Sequence, residues 1–156
     1  MREKRIKGPF DPTLYYVFKA IKVDGESLNE SEDGLSIEED DVDNYLLPLL
    51  EKYFDQDLEL NTKRINKQGN AIEGFAWNNA VNYYTYRNIH SLCLELEDIS
   101  IALIMGETNE LIESIKASVD EFEPKVVIDF YHNLVTRLRL IMANNSDLDI
   151  IGVVAP

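Results

Sequence analysis

The sequence is poor in the residues that most often carry catalysis. It has one cysteine, Cys93, and two histidines, His90 and His132. A lone cysteine cannot close an internal disulfide. Its neighbours Leu92, Leu94 and Leu96 predict a buried thiol in a reducing, cytoplasmic compartment. There is no Cys-x-x-Cys pair, no glycine-rich phosphate loop and no Gly-x-Ser-x-Gly elbow. Long apolar runs are missing too. The longest is Ile101-Ala-Leu-Ile-Met105, far short of the roughly 18 residues of a membrane span. The N-terminal Met1-Arg-Glu-Lys-Arg-Ile-Lys7 leads into Gly8-Pro9 and not into an apolar stretch, so no secretory signal is expected.

Positive charge is the other scarcity. Fifteen Lys and Arg face 29 Asp and Glu, a net charge of −14. The imbalance is concentrated: residues 23–61 hold one base against fourteen acids, whereas residues 1–22 hold six bases against two acids. A field of that sign repels phosphate backbones and anionic lipid heads, which argues against a nucleic-acid or membrane partner. The compatible ligand is a protein with a basic surface, or a cation.

A chain of 156 residues is most simply one domain. The periodicity predicts a mainly α fold, a single-domain bundle of four to five helices. Residues 1–10 read as a flexible arm. Asp11-Pro12 is a helix start, and Leu14, Val17, Phe18 and Ile21 follow at helical spacing, which predicts a helix over 12–22. Residues 24–36 read as an acidic loop. Ser36 and Glu39 fit a capping box, so a second helix begins at Ile37, kinked at Pro48, or else starts late near Asp43. Residues 57–75 read as a loop, with a small β-hairpin near 58–76, turning at Gly69-Asn70, as the alternative.

The longest uninterrupted stretch, Trp77 to Met105, has no Gly or Pro and predicts a long central helix ended by Gly106. Its last turns, from Ile99 to Met105, are apolar nearly all round and are expected to be enclosed by the helices that follow. Those helices run from a cap at Thr108 or Asn109 to about Phe122 and from Pro124 to about Ala143. The tail at 148–156 is too apolar to be left in water. It is expected to pack on the domain or to seal a homo-oligomer.

Two clusters are candidates for a partner-binding surface. The first is the run Glu38, Glu39, Asp40 and Asp41, whose mutual repulsion a basic partner would relieve. The second is Trp77, Tyr83, Tyr84 and Tyr86, amphipathic anchors set among asparagines. Metal chemistry has thinner support. Asp129 and His132 stand at i and i+3, the spacing used in carboxylate-bridged bundle sites, but His90 has Arg87 three residues before it and no acid. The series Asn29, Ser31, Asp33, Gly34 and Asp40 is a degenerate match to a calcium loop. No cofactor is expected. The reading that follows is a non-catalytic binding module, comparable in size and charge with an immunity protein or inhibitor. The alternatives are a metal-dependent enzyme using Asp129 and His132, and a structural subunit of a homo-oligomer.

Overall fold

The computed structural model describes residues 14–24 and 27–156. Where the sequence predicts a first helix, the chain forms a strand. β1 (Tyr15–Asp24) turns Tyr16, Phe18 and Ala20 to one face and Val17, Lys19 and Ile21 to the other. Its apolar residues satisfy a period of two as well as a helical one, and its aromatic and β-branched content favours the pleated surface. The arm at 1–10 and the Asp11-Pro12 helix start lie outside the described residues.

The stretch read as an acidic loop is mostly β2 (Ser27–Glu38). It pairs antiparallel with β1 from Asp24↔Ser27 to Tyr15↔Glu38, with a register shift between Lys19 and Ile21. Ser36 and Ile37 therefore belong to a strand and not to a helix start. An extended, paired strand cannot wrap a cation, which removes the calcium-loop spacing.

The apolar tail becomes β4 (Ile150–Val154). It pairs antiparallel with β1 on one side and with β3 (Val81–Thr85) on the other, giving the order β2-β1-β4-β3. This corrects the expected all-α bundle: the fold is mixed α/β, a four-stranded antiparallel sheet with helices packed on it. β4 is covered on both faces, so its sequence is a continuous apolar run. Both its edges are used within the chain, so it has none to offer a second copy.

One face of the sheet carries the main core. Tyr16, Phe18, Tyr84, Ile151 and Val153 belong to the same buried cluster as residues of α1, α3 and α5, elements defined below. The opposite face holds a smaller cluster of Ile21, Tyr83 and Ile150, covered by Leu58 and Leu60. Gly152 lies on this second face. A Cβ there would stand 2.9 Å from Cγ1 of Ile21 and 3.2 Å from Cγ1 of Val81, so the missing side chain lets the neighbouring strands' residues close over β4.

Pro48 does not end its helix. α1 runs from Glu39–Asp41 through a π-helical turn at Val42–Leu46 into Leu47–Lys52. Proline has no N–H to donate, and its ring would collide with the carbonyl four residues back. Widening the preceding turn avoids that collision, and side chains from other elements reach nearby carbonyls. The Ser118 hydroxyl donates to the Asn44 carbonyl (3.1 Å), the Tyr131 hydroxyl to that of Tyr45 (2.5 Å), and the Tyr84 hydroxyl to that of Leu50 (2.6 Å). Tyr131→Phe is expected to lower unfolding free energy by about 1–2 kcal/mol, because it leaves a largely buried carbonyl without its donor. Urea denaturation would show this, and an unchanged midpoint would mean that the carbonyl has another donor.

Residues 53–80 are loop, with one short helix, α2 (Glu59–Thr62), and a single β-bridge, Ile65↔Ala71, in place of a hairpin. This loop closes the edge of β3. The fully buried Asn61 donates through Nδ2 to the Tyr83 carbonyl (2.8 Å) and accepts the Tyr83 N–H at Oδ1 (2.9 Å), the pair of bonds a neighbouring strand would make. Arg64 donates to the carbonyls of Asn61 (3.0 Å), Val81 (3.1 Å) and Gly74 (2.6 Å) and to Oδ1 of Asn82 (2.8 Å). Asn82 in turn exchanges two 2.8 Å bonds with the backbone of Ala76. Sealing an edge strand in this way prevents it from templating another chain.

The central helix begins nine residues later than expected. α3 spans Tyr86–Ile104, capped by the Thr85 hydroxyl, which accepts the Asn88 N–H at 3.1 Å. Gly106 (φ 71°) ends it, with Glu107 N–H donating to the Ala102 carbonyl at 2.8 Å in the paired bonds of a Schellman cap. Asn109 caps α4 (Glu110–Ser118), and Pro124 opens α5 (Pro124–Asn144). Among the described residues the helices number five.

Cys93 faces inward from α3 and is fully buried. Burial pushes its thiol up to about 11 from an ordinary 9. Native Cys93 is therefore expected to react with a soluble disulfide reagent at pH 8 about 100-fold more slowly than in denaturant, since only the thiolate attacks. Between pH 9 and 11 the unfolded chain loses a proton that the folded chain keeps, so stability falls as pH rises through that window. Native-like reactivity in denaturant would remove the basis for both statements.

Candidate partner-binding surface

The two clusters singled out in the sequence are not brought together. Glu38 is exposed at the end of β2, which is one edge of the sheet. Tyr83, Tyr84 and the approach from Trp77 belong to β3, at the other edge. Two strands lie between them, a separation of about 14 Å at ordinary strand spacing.

The acidic run is also divided within itself. Glu39 is 1% exposed, and Asp40 and Asp41 are half-buried in the first turn of α1, where a helix N-terminus favours acids. The aromatic cluster is largely internal. Tyr84 is fully buried, with its hydroxyl on α1 and its ring edge-on to Phe54, the centroids 6.1 Å apart. Tyr83 packs on the second face of the sheet. Tyr86 is half-buried and donates to the Asn145 carbonyl (2.9 Å). Trp77 is half-buried, and its enclosed ring N–H has no acceptor among the described residues.

The surface that stands out is one the sequence was expected to bury. Ile101, Ile104 and Met105, at the end of α3, are 54%, 69% and 65% exposed. Single exposed apolar side chains are ordinary, but these three stand together at one helix end. Ile101 and Ile104 line an open groove of about 350 Å³ between α3 and α5. Its floor is Leu96, Tyr131 and Val135, and its apolar end is Ile101, Ile104 and Ile128.

The opposite end of the groove is polar. Glu97 on α3 and Arg139 on α5 form an ion pair at 2.5 Å, both partly exposed. The hydrogen bond from Arg139 holds the Glu97 carboxyl below the usual carboxylate range, with smaller help from the charges of His90 and His132. Such a pair contributes at most about 1 kcal/mol to the fold, so its effect here is to set the groove's polarity. Asp129 and His132, the sequence candidates for a metal, line this groove from α5 with exposed side chains. Among the described residues no three His, Cys, Asp or Glu side chains are grouped to hold an ion.

A second recess, of about 390 Å³, lies on another side of α3, among Tyr53, Leu94, Glu95, Asp98 and Asn109. There Glu95 accepts a short hydrogen bond from the Tyr53 hydroxyl and pairs with Lys52 at 2.6 Å. Burial first, and then the bond to Glu95, push the Tyr53 phenol up to about 12. The phenol therefore stays a donor at neutral pH, and Glu95 is already paired with Tyr53 and Lys52.

The fold and the groove together define a small α/β domain with a sealed sheet edge and an apolar trough rimmed by charge. No helix among the described residues is long and apolar enough to cross a membrane. The chain matches no family model, no curated protein and no solved structure.

Proposed function

We propose that this chain is a non-catalytic binding module that engages a protein with a basic surface. The observation that carries this reading is the exposed apolar group Ile101, Ile104 and Met105 beside the α3–α5 groove of a protein with net charge −14. Apolar contact supplies affinity at the centre of an interface, and complementary charge supplies partner choice and rate of encounter. A nucleic acid or an anionic membrane is repelled by the same charge.

The test uses the whole chain as bait in an extract of its native cell, at low and high salt. The expected result is a basic protein that is retained at low salt and released at high salt, because screening shortens the reach of the charges. Reversing Glu38, Asp40 and Asp41 to Lys is expected to slow association with that protein. Capture of no salt-sensitive partner, or of an acidic one, would refute the reading.

A further inference from the structure

We infer that the α3–α5 groove is the seat of a basic amphipathic helix supplied by that partner; this inference rests on the binding reading above. From Glu97 to Ile104 the trough follows α3 for two turns, about 10 Å. That is the length over which a docked helix sets apolar anchors at i, i+3 or i+4, and i+7.

The walls decide between a helix and an extended peptide. Both walls are helices, whose backbone groups are already paired along their own axes. They offer nothing to the backbone of an added strand, which would be desolvated without partners. A helix arrives with its backbone hydrogen bonds already made.

The rim decides the sign of charge. Arg139 is matched by Glu97, whereas Asp129 has no ion-pair partner among the described residues. The groove therefore has room for a Lys or Arg beside Asp129, with aliphatic anchors over Ile101, Ile104 and Ile128. A second copy of this chain would bring another −14 and its own Asp129, so like charges oppose self-docking.

The probe is a synthetic helical peptide of Leu and Lys, with Leu at helical spacing. Its controls are a peptide of the same composition in scrambled order and one with Glu replacing Lys. Binding to the full chain is followed by fluorescence anisotropy. The patterned peptide is expected to bind, the scrambled one about tenfold more weakly or worse, and the Glu peptide not measurably.

The double variant Ile101→Asp/Ile104→Asp is expected to weaken the patterned peptide by about tenfold or more, the size of losing an anchor. Its thermal unfolding should stay that of the parent, since both side chains are exposed. Asp129→Lys is expected to weaken the peptide severalfold. Equal binding of the patterned and scrambled peptides, or undiminished binding by the double variant, would overturn the inference. So would a dimer, seen by light scattering, that the double variant dissolves, because that assigns the groove to a second copy. If the double variant still captures the salt-sensitive native partner, the groove is not its seat and the binding reading survives. If the parent captures none, the binding reading itself falls.

Discussion

A chain cut after Asp149 is expected not to fold. The cut removes β4, the strand that joins β1 to β3 in the sheet. Ile150, Ile151 and Val153, all buried, go with it. Full burial of each such side chain is worth about 1.5–3 kcal/mol, against a total stability of roughly 5–15 kcal/mol for a domain. The loss is compounded on both sides. Phe18 and Tyr84 would face the gap, and the inward backbone groups of β1 and β3 would lose their partners. The expected product has no cooperative thermal transition, collapsed amide dispersion in NMR spectra and strong dye binding to exposed apolar surface. A truncated chain that melted cooperatively near the parent's temperature would mean that β4 is an accessory strand.

Arg64→Met is the second large effect, expected at about 3 kcal/mol, because it takes the donors from several buried neutral acceptors at once. Arg64 is 8% exposed, has no carboxylate partner among the described residues, and instead serves three backbone carbonyls and the Asn82 amide, with its guanidinium 5.1 Å from the centre of the Phe54 ring. Methionine keeps most of the volume but takes the guanidinium's donors from the carbonyls of Asn61, Val81 and Gly74, while Asn82 Oδ1 keeps the Ala76 N–H; each unmet buried group costs about 1–3 kcal/mol. Asn61→Ala acts on the same edge by stripping Tyr83 of both its bonds. The two residues touch, because Arg64 Nε donates to the Asn61 backbone carbonyl, so their effects should not add. A double-mutant cycle in guanidinium measures this. Strict additivity, or a loss below about 1 kcal/mol for Arg64→Met, would show that water replaces the guanidinium. Both variants should also aggregate sooner than the parent, because an unsealed β3 edge is free to pair.

The helices were open to reading where the chain carries its own punctuation. Asn109, Pro124 and Gly106 mark ends that the structure keeps. The strands were hidden for different reasons. β4 lies inside the sheet with both faces covered, so it lacks the alternation that identifies a half-buried strand, and the apolar residues of β1 fit a helical spacing as well as a period of two. β3 runs into α3 with no Gly or Pro between them. Only the cap at Thr85 and the aromatic, β-branched run Val81–Thr85 separate the two. Asn61, Arg64 and Asn82 seal an edge that exists only once β4 and β3 are paired, so no local pattern could point to them. Ile101, Ile104 and Met105 carried the opposite signal. An apolar turn reads as buried, and only the positions of α4 and α5 reveal that nothing in the described chain covers it.

The place of β4 in the sheet also bears on how the chain is made. Lys19 pairs with Gly152, about 130 residues further along. During synthesis β1 can meet β2 early, but β3 must wait for residues 150–154 before it has any strand to join. At about 5–20 residues per second, the stretch from 86 to 154 keeps it waiting for several seconds. Through that interval Tyr83 and Tyr84 depend on the 53–80 segment for cover. A ribosome stalled within the last turn of α5 should therefore hold a nascent chain that is sensitive to protease between β3 and α3, and that becomes resistant once the final strand is free to insert.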